Sequence, residues 1–461
     1  MIKKIIDFSI FSVIFFSAII LFKDPFEFQI TYLAIIFLLP FFIFKYEPPS
    51  NILYIFFPLL IFGLINIYFE NNTFSQFIKI YVNLLVGVLF FYYVFEYYDR
   101  DIKKIFGIYM NWSYASAIIG IFQLLSFWIG FKYGYDYRLI GFNKWGINLG
   151  GFGIRINGIF CEPSYLASTL GPAFFVCLYN LIFNKTHFAT KKMSIIIIIC
   201  YFISASTLAY IGIFVCLFLL LINFGFVRYI AFVVPLSLIL FFYIYSNVND
   251  FKLRMDGLKA LYIEDIINTE GADVTMRGNS NNRERVKYLL SRVHGSSFIQ
   301  YNNYWIAKNN FLQNPFFGTG LGSHEIAFEK YDLSPKFGNL YDGNKSDANS
   351  MLLRTISETG LFGVLFLFFF IKNNFVKNEG EEESNNLHWL ISNAVLVIII
   401  LQLARQGNYT FGGFMAFLWL YYYTRKDYEL LKENNDLELI QENSSEENNH
   451  KHILVNPTYK N

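Results

Sequence analysis

Long apolar runs recur along the whole chain and constrain its fold more than any other feature. About 20 apolar residues cross a bilayer as a helix. Runs near that length lie at 5–22, 27–44, 51–69, 75–96, 105–129, 160–183, 229–245, 351–371, 387–403 and 410–423. A further stretch, Met193 to Ile222, is either one tilted helix or, as we predict, two short helices divided at Ser204, Ser206 and Thr207. The sequence therefore predicts an all-α polytopic membrane protein with about 12 transmembrane helices.

The composition supports a lipid environment. Of the 461 residues, 55% are hydrophobic and 16% charged, which is more apolar surface than one soluble core can bury. The net charge of +2 provides no basic field of the kind that binds nucleic acid. The four cysteines lie in or beside apolar runs without a CxxC pair, so neither a disulfide framework nor a zinc site is expected.

Basic residues are divided unequally between the two sides of the predicted bundle. The short outer loops hold only Lys23 and Arg405. The short inner loops and the start of the tail hold Lys45, Arg100, Lys103, Lys104, Lys185, Lys191, Lys192, Arg228, Lys372, Lys377, Arg425 and Lys426. The positive-inside rule therefore places the N-terminus and the tail inside, and the two long loops outside.

The two long loops divide the chain into regions. Residues 1–245 hold the first nine spans, interrupted by a glycine-rich outer loop at 131–158. Residues 246–349 form a large outer loop, and 350–424 hold the last three spans. The tail, 425–461, is rich in Glu, Asn and Lys and is predicted to be disordered in the cytoplasm.

The large outer loop is predicted to be a small, mostly helical cap. Helical spacing of apolar residues predicts a first helix at Val286, Leu289, Leu290 and Val293, and Arg285 and Arg292 lie on the same segment. A second helix is expected from Ser297 to Pro315. The aromatic residues Tyr301, Tyr304, Trp305 and Phe311 either stack on sugar rings or form the core of the cap, and helical spacing favours the core.

Three short motifs carry candidate chemistry. The first runs from Arg155 through Gly158 to Glu162-Pro163-Ser164-Tyr165, where Pro163 predicts the first turn of a helix and Glu162 either caps it or acts on a substrate. The second, Asn314-Pro315 to Gly322, contains a G-x-G-x-G run. No strand precedes it, so a glycine turn is favoured over a nucleotide site.

The third motif runs from Asp347-Ala-Asn349 through Arg354 and Glu358 to Gly363. Arg354 and Glu358 are one helical turn apart, so they are either a salt pair or substrate contacts. With Lys79 and Arg405, the motifs would bring polar groups from five segments to the outer leaflet.

The three motifs in this order and with this topology resemble the O-antigen polymerase and O-antigen ligase superfamily of bacterial envelope glycan enzymes. The resemblance covers about residues 75–425. It implies a GT-C-like glycosyltransferase of the bacterial cytoplasmic membrane that uses polyprenyl-diphosphate-linked oligosaccharide repeats. It also implies a chain-length regulator and a flippase as partners in the bilayer.

The polymerase fits the motifs better than the ligase. Ligases typically have Asn-Pro-Asn where this chain has Glu162-Pro163-Ser164, and a histidine where it has Ala348. They also carry an arginine shortly before the loop tryptophan, where Tyr301 and Asn302 stand here. A lipid-linked sugar transporter is the non-enzyme alternative, but it would more often place charges at mid-membrane depth and rarely need so large a cap.

The chemistry expected of such an enzyme assigns roles to individual residues. An arginine fork stabilises a leaving diphosphate, and a carboxylate takes the acceptor proton. Arg155 is the first candidate for the fork, and Glu162 and then Glu358 for the base. The outer loops contain no D-x-D run, so we expect a metal-independent transfer without a cofactor. Further substrate contacts are expected from Arg285, Arg292, Arg354, Arg405, Asn349 and Tyr165.

Overall fold

The computed structural model is mostly helical, which confirms the all-α prediction apart from two short hairpins among the residues it describes. It describes residues 2–16, 19–22, 28–49, 52–141, 147–150, 152–224, 230–264, 293, 295–337, 343–380, 386–410 and 413–454. Each predicted apolar run contains a helix, although the first run, 5–22, is helical only up to Phe15. The first half of the chain contains α1 (Ile2–Phe15), β1 (Ile20–Phe22), β2 (Phe28–Gln29), α2 (Ile30–Lys45), α3 (Ile52–Tyr68), α4 (Phe74–Tyr97), α5 (Ile102–Trp128), α6 (Lys132–Tyr135), β3 (Asn148–Gly150) and β4 (Gly153–Arg155).

The second half is built in the same way. It contains α7 (Pro163–Ile182), α8 (Lys191–Ile203), α9 (Thr207–Asn223), α10 (Ile230–Asn247), α11 (Asn249–Tyr262), α12 (Gly295–Gln313), α13 (His324–Tyr331), α14 (Met351–Asn374), α15 (Asn386–Arg405) and α16 (Phe414–Leu454). Within the described residues, five helices are long and apolar enough to cross a membrane, namely α4, α5, α7, α14 and α15. Three shorter apolar helices, α2, α3 and α9, accompany them.

Large apolar side chains face outward on several helices. Phe44 at the end of α2 is 92% exposed and Tyr54 on α3 is 80% exposed, and on α14 Phe368 and Phe369 are both exposed. Such surfaces are costly in water and favourable against lipid tails. The outward faces therefore support a membrane protein.

Helices α7 and α15 form the centre of the bundle. Ala167, Ala173 and Ala394 are buried there, so their small side chains allow close packing. A buried amide pair extends this contact to α9, where Asn223 donates to Asn393 at 2.8 Å.

The predicted break between residues 204 and 207 is confirmed. Helix α8 ends at Ile203 and α9 begins at Thr207, with Ala205 in the left-handed region at φ 46°. The Ser206 side chain accepts a hydrogen bond from the Leu208 N–H and so caps α9. Polar residues in an otherwise apolar run satisfy the backbone groups that a break exposes.

The predicted first span, 5–22, is wrong in its second half. Helix α1 ends at Phe15, and Ile20–Phe22 pairs with Phe28–Gln29 as an antiparallel hairpin. Residues with β-branched and aromatic side chains favour strands, so an apolar run alone did not distinguish the two structures.

The described part of the predicted disordered tail, from Arg425 to Leu454, differs from the prediction. Helix α16 continues through it and ends at Leu454, and residues 455–461 lie outside the described residues. Arg425 and Glu429 are one turn apart and form an ion pair at 2.7 Å, and Tyr428 donates to Glu379. Glu, Lys and Leu favour helices, which explains why the helix continues where little apolar surface is buried.

The region between α10 and α14, predicted to lie outside the membrane, contains helices joined by turns where it is described. Helix α12 begins at Gly295 and ends at Gln313, which confirms the predicted second helix within two residues at each end. Tyr301 packs edge-on against Tyr262, in a buried cluster with Tyr304 and Trp305 at its border, so these aromatics belong to the core of the cap. The predicted helix around 286–293, with Arg285 and Arg292, lies outside the described residues apart from Val293.

Candidate functional site

A polar cavity of about 250 Å³ lies where the region between α10 and α14 meets the ends of the bundle helices. It is bounded by the start of α7, the break before α9, helix α11, the start of α12, the segment before α14 and the end of α15. Its lining residues are Asn148, Arg155, Glu162, Pro163, Ser164, Tyr165, Ser206, Thr207, Leu208, Arg254, Ser296, Ile299, Asn344, Asp347, Asn349, Arg405 and Gln406. The structure therefore brings together five predicted residues: Arg155, Glu162, Tyr165, Asn349 and Arg405.

Glu162 occupies the cap position of α7 but its carboxylate does not act as a cap. Pro163 takes the first helical position, as predicted. Among the described residues, the carboxylate accepts no backbone hydrogen bond, and its Oε2 accepts one from the Ser164 hydroxyl at 2.9 Å. Because capping does not account for this side chain, the functional alternative for Glu162 gains support.

Arg155 ends the second strand of a short hairpin. Gly150 and Gly153 adopt positive φ values in the turn, and a β-carbon at Gly150 would lie 3.3 Å from the Arg155 side chain. The guanidinium Nε donates to the Ala205 carbonyl at 3.1 Å. The hairpin and the break between α8 and α9 thus position Arg155 together.

Arg254 on α11 was not predicted as a site residue. It is buried, and its Nη1 donates to the Thr207 hydroxyl at 2.9 Å. Arg155 and Arg254 are therefore both held by the break between α8 and α9, through partners that are two positions apart in the sequence, Ala205 and Thr207. Phe251, Met255 and Leu258 follow helical spacing directly after the predicted ninth span, and this amphipathic pattern was the signal that could have identified α11.

The opposite wall of the cavity joins two distant segments. A β-carbon at Gly407 would lie 1.3 Å from the Asp347 carbonyl oxygen, so only glycine permits this contact. The Ser350 hydroxyl also donates to the Leu403 carbonyl at 2.6 Å. These contacts place Arg405 beside Asp347.

Arg354 and Glu358 form a salt pair, which is one of the two alternatives that the sequence left open for them. Arg354 Nε donates to Glu358 Oε1 at 2.9 Å, and the side chains are 4% and 0% exposed. The Tyr409 hydroxyl donates to Glu358 Oε2 at 2.9 Å, and the Arg354 guanidinium lies 4.3 Å from the Tyr409 ring centre. In the described part of the chain neither charged residue lines the cavity. The predicted substrate and catalytic roles of this pair are therefore not supported by its position.

The glycine run of the second motif forms a turn. Gly318, Gly320 and Gly322 have φ values of 64°, 93° and 83°. The Gly320 N–H donates to the Glu358 carbonyl at 2.7 Å, and a β-carbon at Gly318 would lie 2.4 Å from the Glu358 backbone. A β-carbon at Gly322 would lie 2.6 Å from the Gln76 carbonyl oxygen on α4, so close packing against α14 and α4 explains these glycines without a nucleotide.

A buried histidine supports the same region. His324 hydrogen-bonds to Asn303 at 3.1 Å and to Ser357 at 3.3 Å, which links α12 and α13 to α14. Burial, with a smaller contribution from the Arg354 charge, lowers the pKa of His324 from 6.5 to about 3. The imidazole is therefore neutral throughout the physiological pH range.

The cavity combines positive and negative groups. Arg155, Arg254 and Arg405 face Glu162 and Asp347 in one space. Guanidinium groups bind phosphate oxygens, whereas carboxylates accept protons and hydroxyl hydrogen bonds. Over the described ranges, histidine, cysteine and carboxylate side chains form no group of three or more that could hold a metal ion. Lys79 is exposed on α4 and lies outside the lining.

The comparisons with known proteins leave the family open. No protein-family model matches the chain, and no curated protein matches it.

Proposed function

We propose that this protein is a bacterial membrane glycosyltransferase that polymerises polyprenyl-diphosphate-linked oligosaccharide repeats into a surface polysaccharide. The product would be an O-antigen, a capsule or an exopolysaccharide. One observation carries the proposal: three arginines from separate segments, Arg155, Arg254 and Arg405, line one cavity with the carboxylate of Glu162.

The arginines suit a leaving diphosphate. The cavity lining has three arginines against two carboxylates, Glu162 and Asp347, so its charged side chains leave a net positive charge that favours an anion. A lipid diphosphate carries the matching charge, and a planar guanidinium binds its oxygens through two parallel hydrogen bonds. These groups would stabilise the charge that develops on the diphosphate in the transition state.

Glu162 is proposed as the general base. The acceptor hydroxyl oxygen would form a bond to the anomeric carbon of the donor, and the bond from that carbon to the diphosphate oxygen would break. The bonding pair leaves with the lipid diphosphate, and the hydroxyl proton passes to Glu162. The carboxylate lies in the same cavity as the arginines, which the transfer requires.

The membrane arrangement belongs to the same proposal. About 12 spans in a GT-C-like bundle would place the cavity at the outer face of the cytoplasmic membrane, because the short basic loops lie on the other side. The chain-length regulator and the flippase are proposed partners.

The position of the charges argues for an enzyme over a transporter. Glu162 stands at the start of α7 and Arg405 at the end of α15, so both lie at helix ends rather than in helix centres. Transporters more often place such groups near the bilayer midplane.

Deletion of the gene, followed by gel analysis of surface glycan, tests the proposal. A ladder that collapses to a single repeat, and is restored by the wild-type chain, is the expected result. Complete polymer stranded on its lipid carrier would instead identify a ligase. An unchanged ladder would overturn the proposed function.

A further inference from the structure

A transfer between two lipid-linked glycans needs separate places for a diphosphate and for an accepting sugar. The lining of the cavity carries two different sets of groups. Arg155, Thr207 and Arg254 also line a smaller cavity of about 20 Å³, together with Tyr210 and Phe251. Among the described residues, Asp347, Asn349 and Arg405 line only the larger one. Arg155 and Arg254 are thus shared by both cavities, whereas Asp347 and Asn349 belong to the larger one.

The Asp347 carboxylate is held in a defined position. Its Oδ1 accepts hydrogen bonds from the Asn344 side chain at 2.8 Å and from the Asn349 N–H at 3.1 Å. In the described part of the chain its Oδ2 accepts none, and the carboxylate is half-buried in the cavity wall. One oxygen thus fixes the side chain while the other is available to accept from a ligand hydroxyl.

The backbone on either side of Asp347 is equally constrained. Ala348 and Asn349 are left-handed at φ 56° and 55°, conformations that non-glycine residues adopt only when the surroundings impose them. Gly407 packs against the Asp347 carbonyl, and Arg354 Nη1 donates to the Gly407 carbonyl at 3.0 Å. The buried Arg354–Glu358 pair therefore positions this wall from behind.

We infer that Asp347 and Asn349 form the subsite that binds hydroxyl groups of the accepting sugar. This inference rests on the proposed function. A carboxylate oxygen accepts hydrogen bonds from sugar hydroxyls, and the Asn349 amide both donates and accepts. The same carboxylate repels a diphosphate, so the anion would bind at Arg155 and Arg254, which also line the smaller cavity, and the neutral sugar at Asp347 and Asn349.

Binding measurements on the purified full-length protein distinguish the proposed diphosphate site from the proposed sugar subsite. The probes are inorganic diphosphate and the soluble repeat oligosaccharide, released by mild acid from the lipid carrier of the deletion strain. Asp347→Asn should weaken oligosaccharide binding by roughly 10-fold or more, because it removes a charge-assisted hydrogen bond, and should leave diphosphate binding within about two-fold. Arg254→Lys should show the opposite pattern.

Two further variants guard against a folding defect. Asn349→Gly removes the amide but keeps a left-handed residue without strain, so it should also weaken only oligosaccharide binding. Glu329→Gln is the matched control, because Glu329 is 65% exposed and pairs with Lys345 away from the cavity lining. It should bind both probes like the wild type.

The outcomes distinguish this inference from the proposed function. Wild-type oligosaccharide affinity in both Asp347→Asn and Asn349→Gly would overturn the inference, as would equal loss of both probes in Asn349→Gly. Failure of the wild type to bind the oligosaccharide would overturn it as well. The proposed function would still stand in each case if deletion of the gene collapses the ladder, and would fall only if the ladder is unchanged.

Discussion

Replacing Glu358 by glutamine would leave the Arg354 charge buried without its partner. Both side chains are almost completely inaccessible, and the pair is 2.9 Å apart. Removing one partner of a buried ion pair typically costs about 3–5 kcal/mol, because the remaining charge stays desolvated. Glutamine keeps the shape and still accepts from the Tyr409 hydroxyl. The loss should therefore arise from charge rather than from packing.

Thermal unfolding of the detergent-purified protein measures this effect. A loss of about 3 kcal/mol should lower the apparent melting temperature of a chain of 461 residues by roughly 3 °C. The double variant Arg354→Met with Glu358→Gln removes both charges and should be less damaging than the single change. Glu429→Gln provides the control, since Glu429 forms an ion pair with Arg425 at the same spacing but is 51% exposed. Its effect should be within about 1 kcal/mol.

Two results would refute this explanation of the pair. If Glu358→Gln melts within a degree of the wild type, the Arg354–Glu358 ion pair does not contribute to the free energy of unfolding as argued. If it remains stable and abolishes polymer, then Glu358 acts in the reaction as a base, the role for which the sequence ranked it second. Loss of both stability and polymer, with partial recovery in the double variant, is the expected pattern.

Three further predictions concern the cavity residues Arg155 and Glu162, the buried His324, and the membrane topology. Arg155→Lys and Glu162→Gln should each lower polymer formation strongly, by something like 100-fold for Glu162→Gln, whereas mere capping would leave Glu162→Asn near normal. Because the folded pKa of His324 is about 3, below its ordinary 6.5, the unfolded state binds the proton first as pH falls. His324 should then lower the free energy of unfolding by about 2 kcal/mol from pH 7 to pH 5, and His324→Gln should remove this contribution. A cysteine introduced at Ser280 should react with an impermeant reagent from outside and one at Ser444 should not, and the reverse would invert the topology.

Local features of the structure could be predicted from residues close together in the chain. The helix break at Ser204 to Thr207, the start of α7 at Pro163 and the glycine turn at Gly318 all depend on propensities within a few positions. The i, i+4 spacing of Arg354 and Glu358 likewise indicated a pair. Apolar runs predicted helices for the same reason, and they failed at Ile20–Phe22, where strand pairing competes.

The composition of the cavity depended on contacts between distant segments. Arg155 and Arg254 are about a hundred positions apart, yet both are held by the break between α8 and α9. Asp347 faces the cavity because Gly407 allows two backbones to touch. No local pattern separates Arg254, which lines the cavity, from Arg354, which is buried behind it. Packing of whole helices sets which charge meets the substrate and which only supports the wall, because side-chain position follows from the arrangement of the helices that carry it.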